Sequence, residues 1–466
     1  MPSPRIARKV PTSLLRLAHT SRQGKVYLSS PRTKAERLRA ALGIGKTVAD
    51  PAPSWAEALG DDNLVLSDRI SLRLSAGPGS PSPRGWSVLA LDGRARAASR
   101  SLVVANLLQL SSSYVVHDPD GSLLASCGGL MRAHGYDVVS LDASEPSGRR
   151  GALYDPVRNV SAPYGIRDFA NLALTAQGPF LDDADEDVDP DFLEAAHALV
   201  CAAVAYLCTF YADQPDERTL DNVVRLLGLA EREEAGQKVS ALDVLMLGSL
   251  SEHGFKGLEE RVVSERGGDA LAAAASGDMA AADLYRRFKA LAGSPSGEAA
   301  VADYARIRLA PLRDREAEGR PSIDLGQIGA SKRAVFVRSC PFAPRASDVL
   351  AAMIFSQAVD ACLAERARWT VPVQIVLAGL PDIAPIPRLF ERMARATASG
   401  TSVIATAPSP EAVERAYPSA DRFDAVVRFD DADVVSVQVS GCPDVYDRQF
   451  DATGHPRFEE AGRDGR

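Results

Sequence analysis

Residues 86–141 change hydrophobic period four times, and that rhythm limits what the chain can fold into. WSVLAL (86–91) is an apolar run of strand length, 97–109 follows helical spacing, and SYVVH (113–117) is again a strand. A helix over 121–134 and a third strand, YDVVSL (136–141), complete the pattern. Short strands alternating with helices predict a parallel, doubly wound sheet. From about 165 to 325 the strand signals stop. Ala/Leu-rich segments such as 192–211, 218–233 and 281–292 read instead as packed helices. The alternation then returns. RAVFVRS (333–339), VPVQIVLA (371–378), TSVIATA (401–407) and DAVVRF (424–429) read as strands, with helices near 346–367 and 386–399.

The predicted fold is therefore α/β, a parallel-sheet core interrupted by an inserted all-helical domain. Its expected parts are a basic N-terminal arm (1–63), the first part of the core (64–164) and the all-α insertion (165–328). The second part of the core (329–445) and a disordered tail (446–466) complete the chain. At 466 residues the chain is long enough for two or three hydrophobic cores.

Charge is divided unevenly. Residues 1–50 hold 11 Lys and Arg against two acids, Glu36 and Asp50, whereas the whole chain carries a formal charge of −8. An acidic body argues against a protein that coats nucleic acid along its length, while a basic arm suits DNA, anionic lipid or an acidic partner. The six cysteines (Cys127, Cys201, Cys208, Cys340, Cys362, Cys442) have no CxxC spacing and read as buried thiols, not as disulfides or a metal site. AAHALVCAAVAYLCTFYA (195–212) contains no Asp, Glu, Lys or Arg, which brings it to the lower length limit of a membrane span. It is alanine-rich and mid-chain, and is expected to be a core helix, leaving no transmembrane segment of the chain's own.

The stretch with most chemical content is SVLALDGRARAASRSLVVANLLQ (87–109). Strand, tight loop and helix form the frame of a phosphate-binding loop. Beyond it along the chain come SYVVHDPDG (113–121), a helix, HGYDVVSLDAS (134–144) and LYDPV (153–157). In order and spacing these elements resemble the coupling proteins of type IV secretion, the conjugative DNA transfer ATPases. The resemblance rests on Asn106, Leu107 and Gln109 after the loop, on Asp118, Pro119 and Gly121, and on Gly135, Tyr136, Val138 and Pro156. SCPFAPRASDVLAAMIFSQAVDACL (339–363) and VPVQIVLAGLPDIAPIPRLFERMARATASGTSVIATA (371–407), with Ile383, Ile386 and Pro387, resemble later family segments. The likeness runs with interruptions from about 64 to 430. It implies a RecA-like P-loop-type core, work in a secretion or conjugation apparatus, and ring assembly at the membrane.

The resemblance also shows what this chain lacks. Aligned on strand and helix, the phosphate-loop lysine falls on Ala98 and the metal-binding hydroxyl on Ser99, while the loop glycines become Asp92, Gly93, Ala95 and Ala97. The Walker B acid pair falls on Ala378 and Gly379, and the family's Asp-Pro-Lys-Gly-Glu reads Asp118-Pro119-Asp120-Gly121-Ser122. Phosphoryl transfer relies on positioning and electrostatics supplied by that lysine, the metal ligands and an acid. The loop Asp92, Gly93, Arg94, Arg96, Ala98, Ser99, Arg100 is thus a vestigial phosphate site, and Ala378 and Gly379 a vestigial Walker B.

No catalytic or metal-binding residue is assigned, and no cofactor is expected. The chain reads as a pseudo-ATPase, a degenerate homologue serving as a non-hydrolysing accessory or regulatory subunit. Its expected partners are secretion or conjugation proteins, among them an active coupling ATPase, with DNA contact through residues 1–50. Its expected location is cytoplasmic, peripheral at the inner membrane face. Two alternatives stay open. Arg94, Arg96 and Arg100 provide a route to ATP/Mg binding by an unconventional ATPase, or the basic arm makes the chain a DNA-binding module.

Three other stretches carry weaker signals. GIGKT (43–47) lacks a preceding strand and the first glycine of a P-loop. DADEDVDPDFLE (183–194) has calcium-loop acids but Val188 in place of the turn glycine. It reads as an acidic lead-in that caps a helix starting near Asp191. His117 reads as structural.

Overall fold

The structure is a computed structural model. It describes residues 26–28, 63–74, 84–93, 97–143, 151–161, 164–175, 188–231, 240–247, 281–313, 321–339, 346–365, 368–418, 423–429, 434–455 and 457–458. GIGKT (43–47) lies outside them.

The chain divides into two compact units. The first comprises Met1–Ser140, Gly326–Arg338 and Ala361–Arg466. A nine-stranded sheet, in the order β12-β11-β10-β4-β9-β8-β5-β7-β6, forms its centre. The inner strands are β4 (Ser87–Leu91), β5 (Ser113–His117), β7 (Arg333–Arg338), β8 (Val373–Leu377), β9 (Ser402–Ala407) and β10 (Ala425–Arg428). They pair in parallel from β10 to β7. β4, β5, β8 and β9 are buried at every residue. This is why they read as continuous apolar runs without alternation.

β6 (Asp137–Asp142) lies at one edge, and β11 (Val434–Val439) and β12 (Val445–Arg448) extend the other edge antiparallel. The sequence predicts a core that ends at 445 with a disordered tail beyond it. β12 and the 3₁₀ turn Ala452–Gly454 occupy that region instead.

Helices α1 (Ala97–Leu108) and α2 (Ser122–Ala133) follow β4 and β5. A separate three-stranded antiparallel sheet joins β1 (Val26–Leu28), β2 (Asn63–Val65) and β3 (Ile70–Arg73). The basic arm expected over 1–63 therefore includes one strand. The core of this unit gathers Leu64, Leu72, Val88, Leu107, Tyr114, Phe336, Ile404 and Phe450, all at most 2% exposed.

The second unit comprises Leu141–Leu325 and Ser339–Asp360. It packs α3 (Tyr164–Thr175), α4 (Pro190–Phe210), α5 (Leu220–Gly228), α6 (Ala241–Leu247), helical residues 281–292 and α7 (Pro295–Leu309). α8 (Ala346–Ala364) starts in this unit. Among the described residues, two helices, Pro190–Phe210 and Ser347–Ala364, are long and apolar enough to cross a membrane. About two thirds of α4's most apolar window is buried inside the protein, where Ala195, Leu199, Cys201 and Val204 pack. Its N-cap is Asp189, whose side chain accepts from Asp191 N–H, with Pro190 at the first helical position. The acidic run thus contributes a cap at its described end.

Candidate functional site

In an open parallel sheet, ligands bind outside the carboxyl ends of the strands where the strand order reverses. Here β4 has β9 on one side and β10, the next strand along the chain, on the other. The loop after β4 is therefore at the switch point.

Asp92 begins that loop. Its N–H donates to Ala407 O at the end of β9 (3.0 Å), and its carboxylate Oδ2 accepts the N–H of Ser99 in the first turn of α1 (3.1 Å). Asp92 and Ser99 are 5% and 3% exposed. A first-turn N–H needs an acceptor, because helix geometry leaves it none. In this chain its own carboxylate supplies one. Gly93 is exposed. Arg94 and Arg96 lie outside the described residues. Ala98 is in the helix. Arg100 turns toward α2, donating to Ser122 O and Ser126 Oγ at 3.1 Å each.

The carboxyl end of β8 is tied to its neighbours. Ala378 O accepts from His117 Nδ1 at 2.5 Å, which ties β8 to β5. Burial pulls the imidazole pKa down to about 4, against the raising effects of the Ala378 carbonyl and the Asp382 charge. His117 is therefore neutral at pH 7, a structural role as expected. Gly379 donates its N–H to Thr406 Oγ1 (2.8 Å) and has φ 75°. A Cβ there would stand 2.5 Å from Asp382 Oδ2. Residue 379 thus holds a left-handed conformation that favours glycine, and a side chain there would have to displace the Asp382 carboxylate.

Beside it, Asp118 caps α2, with Oδ1 accepting from Leu123 N–H (2.9 Å) and Oδ2 from Leu124 N–H (2.8 Å). Burial raises its pKa although both bonds favour the charged form. Among the described residues, no group of three His, Cys, Asp or Glu side chains could hold a metal ion.

The other motif residues serve the scaffold. Asn106 Oδ1 accepts from Val65 N–H (2.8 Å), and its Nδ2 donates to Val65 O (2.9 Å) and Leu102 O (2.9 Å). It joins α1 to the small sheet. At the end of α1, Arg457 Nη1 donates to Leu108 O (3.0 Å) and Gln109 O (2.8 Å). A cation on the last carbonyls of a helix complements its dipole. Sequence reasoning missed Arg457, Thr406 and Asp382. Each meets its partner only through the fold, and no local spacing marks it.

In the second unit, Asp155, which precedes Pro156, caps α5 by accepting from Leu220 N–H (3.0 Å), and also accepts from Val157 N–H (2.8 Å). Burial raises its pKa to about 6. It lines a cavity of about 120 Å³ with Thr219, Asp221 and Arg313.

Residues 97–276 match the profile of the family described as Type IV secretory system Conjugative DNA transfer. Over that stretch the chain is similar to this family. The matched residues begin at α1 and run past α6, so they include Asn106, Leu107, Gln109 and Asp118. Similar solved structures include the plasmid coupling protein TrwB in complex with the non-hydrolysable GTP analogue GDPNP. It is 12% identical, with a TM-score of 0.44 over 82% of this chain and 83% of that one. TrwB in complex with ADP and Mg²⁺ is 13% identical, with a TM-score of 0.44 over the same shares. VirB4 of Thermoanaerobacter pseudethanolicus is 13% identical, with a TM-score of 0.38 over 74% and 76%. No curated protein sequence matches the chain.

The five strands β10-β4-β9-β8-β5 of the core run in parallel, and the loop that opens with Asp92 follows β4.

Proposed function

We propose that this protein is a non-hydrolysing accessory or regulatory subunit of a type IV secretion or conjugation apparatus. The observation that carries the reading is the end of β8. Where the family frame calls for an acid pair to hold Mg²⁺ and orient water, the chain has Ala378 and a left-handed Gly379 bonded to Thr406. The loss of the lysine at Ala98 points the same way. Enzymatic rate enhancement needs transition-state stabilisation of ~8 kcal/mol or more, and these positions contain no charged group to supply it. What is retained is the sheet and its framing residues, which suits a subunit that binds its partners through the family scaffold. Those partners would be an active coupling ATPase or other secretion components at the cytoplasmic face of the membrane, with the basic residues 1–50 available to DNA.

Two assays test this. Purified protein given Mg-ATP, with and without DNA, is expected to release no phosphate above the buffer rate. Chelator-sensitive turnover would overturn the reading in favour of an unconventional ATPase. Tagged protein isolated from its own cells is expected to recover a secretion or conjugation component, and repeated failure to do so would sink the subunit role.

A further inference from the structure

We propose that Lys289 is the hub of a charge clasp that holds α6 on the second unit, and that α6 can leave its seat while the rest of the unit stays folded. α6 has seven residues, Ala241–Leu247, too few for a helix that stands alone in water. Its hold is therefore tertiary. Leu242 and Met246 are fully buried, and Leu242 N–H donates to Leu229 O just past the end of α5 (3.0 Å). A polar hold adds to this. Ser240 and Asp243 form a capping box, in which Asp243 Oδ2 accepts Ser240 N–H (2.7 Å) and the Ser240 hydroxyl (2.9 Å), and Ser240 Oγ accepts Asp243 N–H (3.1 Å). Asp243 Oδ1 accepts from the Tyr285 hydroxyl (3.1 Å) and the Lys289 ammonium (2.8 Å). Lys289 Nζ also reaches Glu298 Oε1 in the first turn of α7 (2.7 Å).

One ammonium thus bridges two carboxylates whose side chains are 8% and 6% exposed. Taking it away would leave two buried negative charges beside its place, and breaking a buried pair from one side is strongly destabilising. The loss falls on α6. The start of α7 keeps its own cap, with Ser294 Oγ accepting Gly297 N–H (3.1 Å), and α3, α4, α5 and α7 pack on one another. Burial works to raise the Asp243 pKa, but its bonds with Lys289 and Ser240 outweigh burial and hold it below the ordinary 3.8. The carboxylate is therefore charged at neutral pH, and acid opens the clasp only below about pH 4. Near neutrality the charge on Lys289 decides whether α6 stays seated.

Hydrogen exchange of the full-length protein, read by mass spectrometry, compares wild type with Lys289→Met and Asp243→Asn. Lys289→Met keeps an unbranched apolar stem and removes the charge. Amides of Ala241–Leu247 are expected to exchange at least about tenfold faster than in wild type, and those of α4 and α5 at the wild-type rate. Asp243→Asn keeps an acceptor for the capping box and loses the charge on the α6 side, so the same segment is expected to quicken by a smaller factor. It is the test if Lys289→Met does not fold. Combining Lys289→Met with Asp243→Asn and Glu298→Gln leaves no charge at the seat, and is expected to slow α6 exchange back toward wild type. Folded variants whose α6 exchanges at the wild-type rate would overturn the inference. Acceleration shared equally by α4 and α5 would overturn it too, by making the clasp part of the common core. A triple variant as fast as Lys289→Met would assign the effect to lost packing, and the charge clasp would fall.

Discussion

Asp155 shows how a single side chain can be both a fixture and a liability. Its carboxylate holds the first N–H of α5 and two N–H groups of its own turn. Burial nevertheless raises its pKa from 3.8 to about 6. The native state therefore keeps this proton more tightly than the unfolded chain does. Stability from this group is fully present below about pH 4 and is lost as pH rises through about 6. The shift corresponds to an effect on the order of 3 kcal/mol. Asp155→Asn keeps an acceptor and removes the titration. Urea unfolding from pH 4 to 7 should give a wild-type-minus-variant difference that falls across this window, and parallel profiles would show that the group does not titrate there. At this scale the sequence reveals residue identity more readily than role. Asp92 is legible as a charge in a phosphate loop, but its bond to Ser99 depends on how the loop closes. Arg100 reads as a loop cation and is engaged on α2 instead.

α1 is fastened at both ends and along its side. Asp92 caps its start, Arg457 its end, and Asn106 binds both backbone groups of Val65 in β2. Asn106→Ala would leave a buried N–H and a buried C=O without their partner, at roughly 1–3 kcal/mol for each. The expected result is faster proteolysis within residues 63–73 and a lower melting temperature. Unchanged proteolysis would mean that the small sheet is held by packing alone. The helices and the six inner strands can be read from hydrophobic period, because a buried parallel sheet writes continuous apolar runs. β1 to β3 cannot, since three- and four-residue strands are too short to establish a period. Nor can Asn106 be told from a ligand-binding motif residue, because a side chain pairing with a strand has no signature of its own.

Across the whole chain, the region that sequence reasoning misses is the C-terminal one. Hydrophobic period marks no strand after β10, yet β11 and β12 continue the sheet antiparallel, and the segment beyond returns to α1. Ser101 Oγ donates to Phe450 O (3.2 Å) and accepts from Ala452 N–H (3.0 Å), and Phe450 is 2% exposed. A polar, glycine-rich terminus resembles a tail in composition, and only the tertiary contacts make it structure. Removing residues 445–466 would uncover the edge of β11, with its buried Val435 and Val437, and strip α1 of Arg457. An open apolar edge invites pairing with other chains. The truncated protein is expected to show a lower urea midpoint and concentration-dependent light scattering. A monodisperse product with the wild-type midpoint would refute this.

The end of β8 limits what can replace its residues. At Gly379 the backbone is left-handed, and a Cβ there would first meet the Asp382 carboxylate. An acid placed there would therefore strain the backbone whatever space Asp382 yields. The turn acts as a filter on replacement, admitting glycine freely and setting a threshold for every residue that carries a side chain.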